Sequence, residues 1–333
     1  MSDCSTAWPD VDVVMPIRNE ATHLEAAVAA VRNQDYPGTV RVFLGVGPSE
    51  DGTEALARRL AGTDAEIIVV ENPSGRTPSA LNAAIRAGSA PVVVRVDGHS
   101  ELTDGYIRRA VETMQRTGAA NVGGRQVPNP TTPFEEAVAA ATTSWLGTGG
   151  ASYRVGGAEG PVDTVYLGVF DRTAIEAISL FDERLIRNQD YELNIRLRKA
   201  GGEVWFDPEL AVGYRPRGSW RALTKQYFEY GQWKAVVMRM YPESARLRQM
   251  APPIAIIAAL ISILLSRRST WFLTLPGIAF CVLAGEAART AYRTRINPAK
   301  IAGTFATIPV SWSAGLVLGA SQPGTCDRSQ PPH

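Results

Sequence analysis

The chain is poor in the residues that usually announce a function. It has three histidines and three cysteines among 333 residues, and Cys4, Cys281 and Cys326 lie far apart. That spacing builds neither a disulfide framework nor a zinc site. Charge of one sign is also missing: Lys and Arg total 34 against 33 Asp and Glu. Bulk charge therefore gives no reason to expect a nucleic-acid partner. No G-x-G-x-x-G follows the first β-branched run, which argues against a dinucleotide-binding oxidoreductase. The opening MSDCSTAWPDVD is polar and acidic with no apolar core, unlike a cleaved secretory leader. The region that follows it is expected to stay in the cytosol.

Composition changes sharply along the chain. Up to about residue 245 charged and apolar residues alternate as in a water-soluble domain. Beyond that come APPIAIIAALISILLS, WFLTLPGIAFCVLAG and IAGTFATIPVSWSAGLVLGA, none carrying a charge. A membrane-crossing helix needs about 20 apolar residues, and only the third stretch reaches that comfortably. Residues 246–322 are thus expected to form two to three membrane helices, with 323–333 a disordered tail. Arg246 and Arg248 precede the first stretch, and Arg289, Arg293, Arg295 and Lys300 separate the second from the third. By the positive-inside tendency both groups belong on the cytoplasmic side of an inner membrane. Arg267 and Arg268 would then lie outside, against the tendency.

Residues 1–245 alternate strand and helix. Val11–Met15, Val40–Val46, Glu66–Val70 and Pro91–Val96 read as buried strands. The stretches 20–33, 51–61 and 78–87 read as the helices between them. This is the pattern of an α/β fold with a mostly parallel sheet covered on both faces, whose ligands bind at the carboxyl ends of the strands. The polar clusters PIRNE, GPSEDGT, ENPSGR and DGHS fall at those ends.

Two acidic groups stand out. Asp97 and His99 flank Gly98 at the end of an apolar strand, where a carboxylate can hold a divalent cation against a diphosphate. Capping of the following turn by Asp97, with His99 merely on the surface, is equally open. Asp190 and Glu192 fall at the start of the helical stretch NQDYELNIRLRKAG. The helix dipole stabilises carboxylates there whether or not they take part in chemistry.

Taken together, VVMPIRNE, PSEDGT, NPSGR, VRVDGHS and NQDYELNIRLR occur in the order of the inverting family 2 glycosyltransferases of GT-A fold, which the chain resembles over about residues 11–240. DGHS, VDTVYLGVF, RNQDYELN and KQYFEYGQWK narrow the likeness to the succinoglycan biosynthesis glycosyltransferases of the ExoA type. The resemblance implies transfer from a nucleotide-sugar donor, a UDP-sugar by expectation, to a hydroxyl of a lipid-linked saccharide acceptor at the membrane. It implies that Pro16, Arg18, Glu20 and Arg76 line the donor pocket. Asp97 and His99 would hold Mg²⁺ or Mn²⁺, and Asp190 would be the general base. Glu192 is expected to support the acceptor side, and Gln226 and Trp233 to bind the acceptor from an interfacial helix near 219–240. The aromatic run around them also suits a membrane surface. A nucleotidyltransferase with the same sheet and a non-catalytic, membrane-anchored nucleotide-binding protein are the alternatives. The sequence departs from the family where Val46 and Gly47 replace acidic residues after the second strand. Glu50 or Asp51 could substitute, though Asp51 equally suits a helix cap.

Overall fold

The computed structural model describes residues 8–321, apart from the side chain of Arg248. Cys4, Cys326 and the expected tail at 323–333 lie outside the described residues. The strands are β1 Val11–Ile17, β2 Val40–Val46, β3 Ile67–Glu71, β4 Val92–Arg95, β5 Glu101–Leu102, β6 Asn121–Pro128, β7 Gly160–Pro161, β8 Tyr166–Asp171 and β9 Val204–Tyr214. The helices are α1 Leu24–Arg32, α2 Thr53–Thr63, α3 Thr77–Ala87, α4 Tyr106–Thr117, α5 Pro133–Thr142, α6 Trp145–Thr148, α7 Ser152–Val155, α8 Arg172–Ala177 and α9 Gln189–Lys199. Four longer ones follow: α10 Trp220–Met240, α11 Leu247–Leu265, α12 Thr274–Thr294 and α13 Pro298–Ser321.

Internal contacts divide the described chain into two units, residues 8–127 with 156–214 and residues 128–155 with 215–321. The first contains a nine-stranded sheet in the order β3-β2-β1-β4-β8-β6-β9-β5, with β7 paired to β9. The pairs β3–β2, β2–β1 and β1–β4 are parallel, as the alternation of strands and helices up to residue 96 requires. From β8 onward the sheet is antiparallel.

Side-chain alternation splits the core across the sheet. Val13, Met15, Val92 and Val94 pack on one face against α1 and α4, while Val14, Phe43 and Val93 pack on the other against α3 and against Leu193 and Leu197 of α9. Period two places Arg95 on the same face as Val93, the face that carries α9. Asp12 also points there. It is wholly buried and accepts hydrogen bonds from Arg172 Nη2 at 2.7 Å and the Ala90 N–H at 2.7 Å. Arg172 in turn donates to Ala90 O and Ile85 O, tying α3, β1 and β4 together.

The second unit is helical. Ala137 and Ala141 of α5, Leu223 and Tyr227 of α10, Ala287 of α12, and Ile301, Phe305 and Ile308 of α13 form its core. α10 and α13 approach backbone to backbone. A Cβ on Gly231 would lie 2.0 Å from Trp312 O, and one on Gly315 would lie 2.0 Å from Phe228 O. Among the described residues two helices are long and apolar enough to cross a membrane, Thr270–Thr294 and Pro298–Ser321, and Gln249–Leu265 is a shorter apolar one. The second apolar stretch is thus longer than its uncharged run. Its helix continues through Glu286, Arg289 and Arg293, so two of the arginines expected in a loop lie on the last turns of α12.

Candidate active site

The polar clusters converge at the carboxyl ends of β1, β2, β3 and β4. The PIRNE and GPSEDGT loops are joined by their own backbone groups. Asn19, at φ 56°, donates its N–H to Ser49 Oγ at 3.1 Å, and its side-chain Oδ1 accepts the Glu50 N–H at 3.0 Å. The Glu20 N–H donates to Thr53 Oγ1, and the Ala21 N–H to Asp51 Oδ2. Asp51 also accepts from the N–H and hydroxyl of Thr53, and the Thr53 hydroxyl, followed by these backbone donors, holds its pKa below the usual carboxylate range. Asp51 thereby fastens the two loops to each other.

Gly47 has a steric reason. A Cβ there would lie 3.1 Å from Gly75 Cα and 3.5 Å from Arg18 Cβ. Gly75, at φ 63°, in turn lies against the Arg18 guanidinium, 3.3 Å from its would-be Cβ. The loop after β3 thus closes onto the end of β2, where the resemblance leads one to expect a carboxylate, and the exposed Arg18 borders that contact. Pro16 sits in β1 opposite Gly45. Arg76 precedes α3, is exposed, and donates to Glu183 O at 3.4 Å. Glu183 also accepts from Ser79 Oγ and Asn82 Nδ2, and Asn82 bonds both N–H and C=O of Phe181. These bonds fasten α3 to the segment before α9, in which Ser179, Leu180 and Asn188 all have positive φ.

At the end of β4 the Ser100 N–H donates to Asp97 O, closing a turn. Gly98 is buried, and a Cβ there would stand 3.0 Å from Glu20 Cγ and Ile17 Cγ2, so a larger residue would have to displace these side chains for the turn to sit against β1. His99 Nδ1 pairs with Glu20 Oε1 at 2.8 Å. A carboxylate holding Nδ1 fixes the ring orientation, as it commonly does for histidines that bind metals through Nε2. Asp97 Oδ1 accepts from Arg95 Nε at 3.0 Å and Nη2 at 2.9 Å. Among the described residues no cluster of three or more His, Cys, Asp or Glu could hold a metal by itself. The Asp97 carboxylate fits a cation whose remaining positions are filled by substrate phosphate and water, the usual arrangement for Mg²⁺, and the His99 imidazole beside it is a less usual ligand for that ion.

The third donor of the same guanidinium, Arg95 Nη1, bonds Asp190 Oδ1 in the first turn of α9. Residues 95 positions apart are thereby joined. Burial pushes the Asp190 pKa up, the nearby Arg95 charge pulls it down and Asp97 pushes it up again, with a net rise. Burial alone would lower the Arg95 pKa, but Asp190 and Asp97 outweigh it and raise it. Glu192 turns the other way: it is wholly buried and bonds Arg196 through both oxygens at 2.7 Å. It lies inside the protein rather than on an acceptor-facing surface. α9 is anchored by Asn194, which accepts from Asn121 at 2.7 Å and donates to Thr164 at 2.9 Å. Gln226, bonded to Tyr230 OH at 3.0 Å, and the half-buried Trp233 belong to α10 in the second unit. Arg95 was not singled out in the sequence. Its signal is a lone charge ending an otherwise all-valine, fully buried strand.

The glycosyl transferase family 2 model matches residues 12–178. The succinoglycan biosynthesis protein ExoA of Rhizobium meliloti (strain 1021) is 32% identical over 313 residues, 91% of this chain and 93% of that protein. The chain belongs to glycosyl transferase family 2. A more distant relative is the dolichyl N-acetyl-alpha-D-glucosaminyl phosphate 3-beta-D-2,3-diacetamido-2,3-dideoxy-beta-D-glucuronosyltransferase of Methanococcus voltae. It is 25% identical, over 69% of this chain and 74% of its own. Among solved structures, the mannosyltransferase PcManGT from Pyrobaculum calidifontis, in complex with GDP-Man and Mn²⁺, superposes with TM-score 0.61 at 18% identity. That match covers 94% of this chain and 88% of the other, a likeness of fold. The enzyme is a glycosyltransferase, and the nucleotidyltransferase and non-catalytic readings fall away.

The packing at Gly47 gives a direct test. Gly47→Asp, which introduces the acid that the family resemblance leads one to expect, is expected to destabilise the protein by about 1–3 kcal/mol through overpacking. It should also weaken nucleotide binding. Thermal unfolding with and without UDP measures both, and tighter UDP binding by the variant would refute the steric account.

Proposed function

We propose that the protein is an inverting glycosyltransferase that moves a sugar from a UDP-sugar to a hydroxyl of a lipid-linked saccharide. The reaction would take place at the cytoplasmic face of the inner membrane, in cell-envelope or exopolysaccharide synthesis. The observation that carries this reading is the joining of Asp97 and Asp190 by one buried guanidinium at the carboxyl end of the sheet. In this reading a diphosphate-side carboxylate and a base-side carboxylate are held by a single arginine. The names of the Rhizobium meliloti and Methanococcus voltae relatives support a polysaccharide or lipid-phosphate-linked acceptor. The apolar helices 270–294 and 298–321 support a membrane setting.

In this reading Pro16, Arg18, Glu20 and Arg76 line the donor pocket, and Asp97 and His99 hold Mg²⁺ or Mn²⁺. The cation, when bound, offsets the charge that develops on the departing diphosphate. Asp190 accepts the proton of the acceptor hydroxyl as its oxygen bonds to the anomeric carbon. The bond from that carbon to the phosphate oxygen breaks on the opposite face, and the electron pair leaves with the nucleoside diphosphate. The raised pKa of Asp190 makes it a better base than an ordinary carboxylate. Glu192 supports α9 from inside through Arg196. Gln226 and Trp233 remain proposed acceptor contacts on α10. The proposed catalytic region, residues 1–245, includes that helix.

Asp190→Asn is expected to lower kcat by about 10²–10⁴-fold with UDP binding nearly unchanged. Glu192→Gln should cost stability more than rate. Near-normal turnover by Asp190→Asn, with Glu192→Gln inactive, would move the base to Glu192. EDTA should stop transfer by the wild type and Mn²⁺ restore it, and undiminished activity in EDTA would exclude the cation. For orientation, a single cysteine at Asn297, with the native cysteines replaced by serine, should be shielded from an impermeant thiol reagent in intact cells. Ready labelling would reverse the topology.

A further inference from the structure

Arg95 is the only charged residue in β4, and its side chain is 5% exposed. Nε and Nη2 grip Asp97 Oδ1, and Nη1 grips Asp190 Oδ1. Among the described residues neither carboxylate uses its Oδ2 in a hydrogen bond. A planar guanidinium with its stem locked in a strand fixes the direction of every group it holds, which a flexible ammonium cannot do.

We propose that Arg95 is a positioning residue for transfer: by holding Oδ1 of Asp190 it turns Oδ2 toward the acceptor hydroxyl. This rests on Asp190 being the base. An unrestrained Asp190 side chain samples several rotamers, most of which aim neither oxygen at an acceptor. Misplacing a reacting group by about 1 Å can cost about 10²-fold in rate. A residue that merely balanced buried charge would be replaceable by another cation. One that sets direction would not, because lysine reaches one carboxylate and leaves the other to rotate.

The test compares Arg95→Lys, Asp190→Asn and their double variant, as full-length protein in detergent, with the UDP-sugar that the wild type turns over. Arg95→Lys is expected to lose about 100-fold in kcat with donor KM within about threefold. Mn²⁺ binding, read by EPR with the metal alone, should be retained. The double variant should be no slower than Asp190→Asn, because Arg95 acts through Asp190. Arg95→Lys at wild-type kcat overturns the proposal, as do losses that multiply in the double variant. Loss of Mn²⁺ binding and of kcat together also overturns it, by showing a general structural role. Arg95→Met serves as a second variant should lysine perturb folding, and near-wild-type kcat in it has the same meaning. Full turnover by Asp190→Asn alone would instead remove the base assignment, a separate failure.

Discussion

A guanidinium held out of water must be matched by carboxylates, and the region around Arg95 is arranged to satisfy that requirement. Removing such a charge from solvent costs several kcal/mol unless opposite charges and hydrogen bonds compensate. β4 is flanked by β1 and β8, so its side chains have no route to bulk water along the sheet. Compensation must come from the strand's own end and from whatever covers that face. Asp97 provides the first and α9, bringing Asp190, the second. The position of α9 is thus set electrostatically as well as by Leu193 and Leu197. Two carboxylates with different expected tasks come to share one cation.

The loops around this pair are stiffened by their own polar groups. The PIRNE and GPSEDGT loops bond through Asn19, Ser49, Asp51 and Thr53, and α3 fastens the segment before α9 through Ser79 and Asn82. Loops tied in this way hold their backbone groups in place without help from a ligand.

Much of the first half of the fold is legible in the sequence because its strands are β-branched and buried on both faces, with helices of ordinary spacing between them. β2 runs over the expected residues, and α3 begins one residue earlier than expected. α1 starts at Leu24 rather than residue 20 because Glu20 O accepts the N–H groups of His23 and Leu24, using the first turn as a cap. The antiparallel half escaped: β6 and β9 carry glycine, proline and charge, and their pairing is set by partners far along the chain. At the site, Asp97 and Asp190 stand out through the family likeness, since each alone could be a cap. Arg95 is visible as a charge among valines, but its meaning lies in a residue that the sequence places far away.

The glycine contacts between α10 and α13 have a practical consequence. Gly231 and Gly315 let two helix backbones touch, and a Cβ on Gly319 would lie 2.7 Å from Gln232 Cα. α10 sits within the residues that composition marks as water-soluble, while its close partner is the most C-terminal apolar helix. A shortened protein ending near residue 245, the obvious cut for obtaining a soluble enzyme, would strip α10 of that partner and bare Leu223, Tyr227 and the glycine groove. Solubilisation by truncation would therefore produce an aggregating fragment, and the intact chain in a membrane mimic is the form to purify.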